Sequence, residues 1–342
     1  MADREASQVA GQGASSGASG APQEIGFLLV PRFSMMAFVS AVEPLRVANR
    51  LAGRPLYRWE VVTRDGAAAH ASNGMALVAT RSIAAPGAYA RLVVCAGFEP
   101  EAGYDEAVGA WLQRLARRGV ALGAMDTGSF LLARAGLLDG RRATTHWESL
   151  DSFRERYPRV EVESGLYVID GDRFTCAGGT AALDMMLHLI SLQHGRRLAA
   201  AVSEQFIHAD IRDPHDRQRM ATQRRQGIAH AGVARAIELM EGHLEEPVTS
   251  ERLSRAAGLS LRQLERHFRR HFRMTPRRYY VELRLQRARA LLQYTEMSVV
   301  EVAVASGFGS AAHFSRTYRG WAGRPPSDER RPVDPGVMPA LR

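Results

Sequence analysis

Val120-Ala-Leu-Gly-Ala-Met-Asp126-Thr-Gly-Ser-Phe-Leu-Leu-Ala-Arg-Ala-Gly136 is an apolar run, an abrupt polar break and a helical pattern ended by glycine. The run reads as a buried strand and the pattern as a helix, so the break between them is a sharp turn. Such an elbow carries one side chain, here Asp126, into the crevice at the carboxyl end of a parallel sheet. The helix N-terminus and its unpaired N–H groups are expected to hold that carboxylate in its charged form. Further on, a strand-like run over 142–145 delivers His146, Trp147 and Glu148.

The same alternation extends outward from the elbow. β-rich runs at 25–30, 59–63, 92–95, 120–124 and 167–169 are separated by helical stretches such as 37–51 and 107–118. That order predicts an α/β domain with a mostly parallel, flavodoxin-like sheet covered by helices on both faces. After a helix over 181–192 the chain becomes polar through 196–226, with one more helix expected around 199–208. From 231 to 318 almost everything reads helical, with breaks at Pro247, Gly258, Pro276 and Gly307. The expected division is a disordered leader over 1–22 and an α/β domain over 23–195. A connecting segment over 196–230, an all-α domain over 231–328 and a tail over 329–342 follow.

Composition points the same way. The chain has 342 residues and 45 basic ones, all arginine. Residues 1–220 hold 24 of these against 24 acidic residues, whereas 221–342 hold 21 against 12, so the whole net charge of +9 lies in the rear. A basic rear third implies a polyanionic partner there. No apolar run reaches the roughly 20 residues a membrane helix needs, and no secretory signal is apparent at the N-terminus, so a cytoplasmic protein is expected. Cys95 and Cys176 offer neither a disulfide framework nor a metal spacing, and no metal or cofactor is expected.

Within the rear domain one pattern occurs twice. Leu253-Ser-Arg-Ala-Ala-Gly258-Leu-Ser260 precedes Leu264 and Phe268; Val302-Ala-Val-Ala-Ser-Gly307-Phe-Gly-Ser310 precedes Phe314 and Tyr318. Each is a short helix, a glycine turn, a capping serine and a second helix with apolar residues four apart. These are two helix-turn-helix units joined by a long helix over 277–294. Arg262, Gln263 and Arg266 in one second helix, and Ala311, His313 and Arg316 in the other, are the candidate contacts to double-stranded DNA. The stretch from Val248 to about Asp328, with His313-Phe314-Ser-Arg316 and Gly323-Arg-Pro-Pro-Ser327, resembles the DNA-binding domain of AraC/XylS-type regulators.

The front domain resembles the PfpI-like, class I glutamine amidotransferase-like fold from about Ile25 to Leu192, through Phe33-Ser-Met-Met, Ser72-Asn73-Gly74, Cys95-Ala-Gly97 and Cys176-Ala-Gly-Gly179. In enzymatic members of that fold the elbow residue is cysteine and its partner a histidine at the His146 position. Here Asp126 replaces the cysteine, and amidase chemistry needs the thiolate, so no enzymatic activity is expected. An amidase or deglycase-like enzyme fused to a DNA-binding module remains the alternative. A structural DNA-binding protein whose front domain only dimerises is a third reading.

A carboxylate in a pocket attracts a cation. Phe33, Phe98 and Trp147 are expected near the strand ends, where aromatic faces hold alkylammonium groups at about 0.5 to 2 kcal/mol each. Backbone N–H groups after Asp126 and Gly97, at Thr127 and Phe98, are expected to receive a ligand carboxylate. His146 is expected to line the pocket and Glu43 to be a weaker candidate. The run Asp126 to Gly140 followed by His146-Trp-Glu148 looks most like regulators of choline, glycine betaine and carnitine catabolism. That resemblance implies glycine betaine, dimethylglycine or carnitine as ligand, transcription activation, a homodimer and contact with RNA polymerase.

Overall fold

The computed structural model describes residues 21–218, 230–295 and 297–330. Most of the expected leader, residues 219–229 of the connecting segment and nearly all of the tail lie outside the described residues.

The front domain is built on a seven-stranded sheet. Its strands are β1 (Gln23–Leu29), β2 (Tyr57–Thr63), β5 (Arg81–Ser82), β6 (Arg91–Cys95), β7 (Ala121–Met125), β10 (Tyr167–Asp170) and β11 (Arg173–Cys176), in the order β10-β11-β7-β6-β1-β2-β5. Every pairing is parallel except β10 with β11, a hairpin at the edge. Two small ladders stand apart: β3 (Ala69–His70) with β4 (Ala76–Leu77), and β8 (Arg142–Ala143) with β9 (Glu161–Val162). The strand expected over 142–145 is therefore only two residues long and belongs to the second ladder.

Both faces of the main sheet are covered, which is why its strands read as unbroken apolar runs. Phe27 and Leu29 of β1 pack with α1 (Met35–Ala52), α5 (Ala181–His194) and α6 (Arg196–Gln205) through Leu45, Met186 and Val202. Leu28 faces the other way, with α2 (Glu106–Arg117), α3 (Ser129–Arg134) and α4 (Leu150–Arg156) contributing Leu112, Leu131 and Phe153. Alternate residues of one strand thus feed two cores.

The rear domain is helical: α7 (Ala231–Glu241), α8 (Ser250–Ala257), α9 (Leu261–Phe272), α10 (Pro276–Tyr294), α11 (Val299–Ala305) and α12 (Ala311–Ala322). α8 and α9 form the first helix-turn-helix, and α11 and α12 the second. Each unit has its own core, and α10 serves both. Tyr279 and Tyr280 join Leu253, Leu264 and Phe268, while Leu285 and Leu292 join Val302, Phe314 and Tyr318. Ser260 and Ser310 cap α9 and α12 by accepting from the backbone N–H of Gln263 and His313. Gly307 turns with φ 71°, and a Cβ there would lie 2.6 Å from the Leu244 carbonyl, so both conformation and space demand glycine.

Candidate functional site

Asp126 follows β7 with φ 59°, a left-handed conformation that costs a side-chain-bearing residue energy and lifts it out of the strand line. The surroundings hold the turn in place. Thr145 Oγ1 donates to the Asp126 carbonyl at 2.9 Å, Thr127 Oγ1 to the Gly97 carbonyl at 2.5 Å, and Ser129 Oγ to the Thr144 carbonyl at 2.7 Å. A Cβ on Gly128 would lie 2.4 Å from the Val94 carbonyl, so only glycine lets the elbow sit against β6.

Asp126 opens onto a crevice of two lobes that share Ser34, Asp126 and His146. One, of about 330 Å³, adds Trp147, Gly178, Thr180, Arg212 and Gln218; the other, of about 190 Å³, adds Ser72, Phe98, Thr127 and Glu148. Residues from seven separate chain segments therefore meet here. Trp147 and Glu148 lie in a single 3-10 turn, so an aromatic face and a second carboxylate stand near Asp126.

The electrostatics depart from the sequence expectation. Burial pushes the Asp126 carboxyl up to about 7; the Thr127 N–H pulls it partly back and the Glu148 carboxylate adds to the rise. The helix beyond the elbow is six residues long, too short for its dipole to outweigh desolvation. His146 moves the opposite way, because burial disfavours the imidazolium more than Glu148, with Oε2 3.8 Å from Nδ1, favours it.

Both cysteines are buried, and burial pushes the Cys95 thiol up and the Cys176 thiol to about 12. Cys176 lies under the elbow and accepts from the backbone N–H groups of Gly178 and Asp126. Neither sulfur is a thiolate at neutral pH. Among the described residues no cluster of three metal-ligating side chains occurs.

In the rear domain Arg262, Arg266, His313 and Arg316 are exposed on α9 and α12, and Ala311 is half-buried at the start of α12. Arg284 of α10 fixes the second turn: Nε donates to the Ser306 carbonyl at 2.8 Å, Nη2 to that of Gly307 at 2.6 Å, and the guanidinium stacks over Phe308 at 4.2 Å.

Comparison with known proteins accounts for both halves. Residues 25–192 match the DJ-1/PfpI family and residues 253–332 a helix-turn-helix domain. The chain is 48% identical over 308 residues to the HTH-type transcriptional regulator CdhR of Pseudomonas aeruginosa, covering 90% of this chain and 91% of that one. It is 46% identical over 310 residues to the HTH-type transcriptional regulator GbdR of Pseudomonas aeruginosa, covering 91% and 84%. The chain belongs to the AraC family of transcriptional regulators, with a DJ-1/PfpI front domain. An AraC family transcriptional regulator from Pseudomonas putida has a solved structure that superposes with a TM-score of 0.50 at 32% identity, covering 54% of this chain and 100% of that one. No described helix of the regulator is long and apolar enough to cross a membrane.

Of the ligand candidates, Asp126, His146, Trp147, Gly97, Phe98 and Thr127 line the crevice of this AraC-family regulator. Phe33 does not. It is fully buried, edge-on to Phe38, because its backbone bridges to Ala71 and Gly97 and turns the ring inward. Glu43 also lies elsewhere, on α1, where its carboxylate binds Arg46 at 2.7 Å. Phe98 already carries the Arg32 guanidinium 5.4 Å from its ring centre.

The two N–H groups assigned to a ligand carboxylate are also taken. That of Phe98 donates to the Arg32 carbonyl at 3.3 Å, and that of Thr127 to the Asp126 carboxylate. Among the DNA candidates, Gln263 turns back: its Oε1 accepts from Ser260 N at 2.9 Å and Oγ at 3.0 Å, closing a capping box. Thr180, Arg212 and Gln218 also line the crevice and were not singled out from the sequence, and Ser34 and Ser72 stood there only within the motifs of the resemblance, not as pocket residues.

Proposed function

We propose that the front domain of this transcription regulator senses a small metabolite with a substituted ammonium group and a carboxylate, such as glycine betaine, dimethylglycine or carnitine. Its occupancy governs how the two helix-turn-helix units engage promoter DNA. The observation that carries this reading is the position of Asp126: a carboxyl at the join of both crevice lobes, with Glu148 and the Trp147 ring beside it. A cation in that place interacts with the buried Asp126 carboxyl, the more exposed Glu148 carboxylate and an aromatic face. The raised Asp126 carboxyl is part of the fit, since an arriving cation favours the ionised form that burial disfavours.

By the family resemblance the regulator works in the cytoplasm as a homodimeric activator that contacts RNA polymerase. Arg262, Arg266, His313 and Arg316 face the DNA, and α10 holds the two recognition helices to successive major-groove segments about 34 Å apart. The alternative of an amidase fused to a DNA-binding module gains no support from a crevice whose nearest thiol is protonated.

The test is anisotropy of the full chain on duplexes recovered from a random-sequence pool, with and without glycine betaine, dimethylglycine and carnitine. A shared recovered motif, bound with an affinity or footprint that one ligand changes, is expected. Recovery of unrelated sequences, or a footprint indifferent to every ligand, contradicts the proposal.

A further inference from the structure

The cation pole leaves the other end of a zwitterion without a recognised partner, because the Thr127 and Phe98 N–H groups are engaged within the protein. One cation lines the same lobe as Asp126 and Trp147: Arg212, from the segment that leaves α6 toward the DNA-binding domain. Its backbone N–H donates to Asp184 Oδ1 at 2.9 Å. Its Nε and Nη2 donate to Asp184 Oδ2 at 2.9 and 2.6 Å, and Nη2 also to Thr180 Oγ1 at 2.7 Å.

Asp184 is fully buried and also holds His208, with Nε2 2.8 Å from Oδ1. One edge of the guanidinium is thus clamped. Among the described residues, Nη1 has no hydrogen-bond partner, and the residue stands at the wall of the 330 Å³ lobe. A guanidinium held in advance loses little entropy on taking a second acceptor, and its natural acceptor is a carboxylate.

We infer that Arg212 is the carboxylate-recognising residue of the sensor pocket, setting the ligand's direction with its anionic end at Arg212 and its ammonium end at Asp126. The inference rests on the ligand reading proposed above. The segment that carries Arg212 is tied back across the crevice. Gln218 Nε2 donates to the carbonyls of Thr145 and Gly165, at 3.0 and 2.8 Å, and Arg217 bridges to Gly165. A carboxylate bound at Arg212 therefore touches the stretch of chain that leads to the first helix-turn-helix unit.

Choline and glycine betaine share a trimethylammonium head and differ in bearing an alcohol or a carboxylate, so calorimetry of both on the full chain isolates the anionic pole. The native chain is expected to prefer glycine betaine by about tenfold or more, the worth of one charge-assisted hydrogen bond. Arg212→Gln with Asp184→Asn removes the ion pair together, leaving no buried charge alone; the preference is expected to fall within about threefold while choline affinity holds. Arg212→Lys is the second variant, retaining charge without the planar fork, and is expected to lose most of the preference in a folded chain.

Retention of the full preference in either variant overturns the inference. A native chain that binds choline as tightly as glycine betaine overturns it too, while leaving the cation pole standing. A native chain that binds neither, nor dimethylglycine or carnitine, overturns the ligand reading and the Arg212 assignment with it.

Discussion

Gly178 stands so close to Asp126 that a methyl group on its Cα would lie 2.7 Å from Oδ2. Its φ of 86° also lies where side-chain-bearing residues are strained. In the loop from β11 to α5, Gly178 thus closes the wall of the elbow pocket beside Asp126 with backbone alone.

Gly178→Ala is therefore expected to displace the Asp126 carboxyl while leaving the DNA-binding domain intact. Stability of the front domain should fall by about 1 to 2 kcal/mol from the left-handed conformation. Ligand response should be lost in a titration followed by melting temperature, with DNA binding retained in a gel shift.

The Asp126 carboxyl makes stability depend on pH in a defined direction. In the unfolded chain it titrates near about 3.9, and in the folded chain it is raised to about 7. Between these values the native state holds a proton that the unfolded state has released, so this group's contribution is present below the lower value and lost as pH rises through the upper one. Asp126→Asn should remove that loss. Urea melts from about pH 5 to about pH 8 should show the variant gaining on the native chain up to about pH 7 and then running parallel.

The same titration governs binding. A cation prefers the ionised carboxylate, so affinity for glycine betaine, whose own charges do not change near neutrality, should rise by up to about tenfold per pH unit below 7 and level above it. Calorimetry at several pH values in buffers of different ionisation heat would detect the released proton. A flat affinity profile would place the ammonium group away from Asp126.

Arg284 locks the second helix-turn-helix through the carbonyls of Ser306 and Gly307. Arg284→Met keeps the apolar stem but leaves both carbonyls without that donor. Loss of about 1 to 3 kcal/mol in rear-domain stability is expected, with weakened DNA binding and unchanged melting of the front domain. Differential scanning calorimetry resolves the two.

Arg266 and Arg316 are exposed on the second helix of each unit. If they read base edges, replacing either with alanine should cost about 1 to 3 kcal/mol on the preferred sequence and relax the preference at one position. Equal losses on every sequence would make them phosphate contacts instead.

Much of this architecture was legible in the chain. The elbow at Asp126 announced itself because a buried strand, a polar break and a glycine-ended helix are local signals, and the duplicated Gly-and-Ser turns did the same for the rear domain. The charge state of Asp126 was not legible, since desolvation depends on what the fold brings over the carboxyl. Nor was the placement of Arg212 and Gln218 at the crevice: a polar stretch without periodicity reads as a connection, and its hydrogen bonds to the buried Asp184 of α5 and to the Gly165 carbonyl form only in the fold. Phe33 misled for a related reason, since its neighbours in sequence do not reveal which way a strand-end ring turns.

The anchoring of a small cationic metabolite by Asp126 underlies the proposed sensor function. It is tested most directly by melting the full chain and Asp126→Ala side by side against glycine betaine, dimethylglycine, carnitine, choline and arginine, because a ligand of the native state raises the melting temperature by mass action. A rise selective for one of the first three in the native chain, and absent from the variant, is expected. An equal rise in Asp126→Ala, or no rise with any of them, contradicts it.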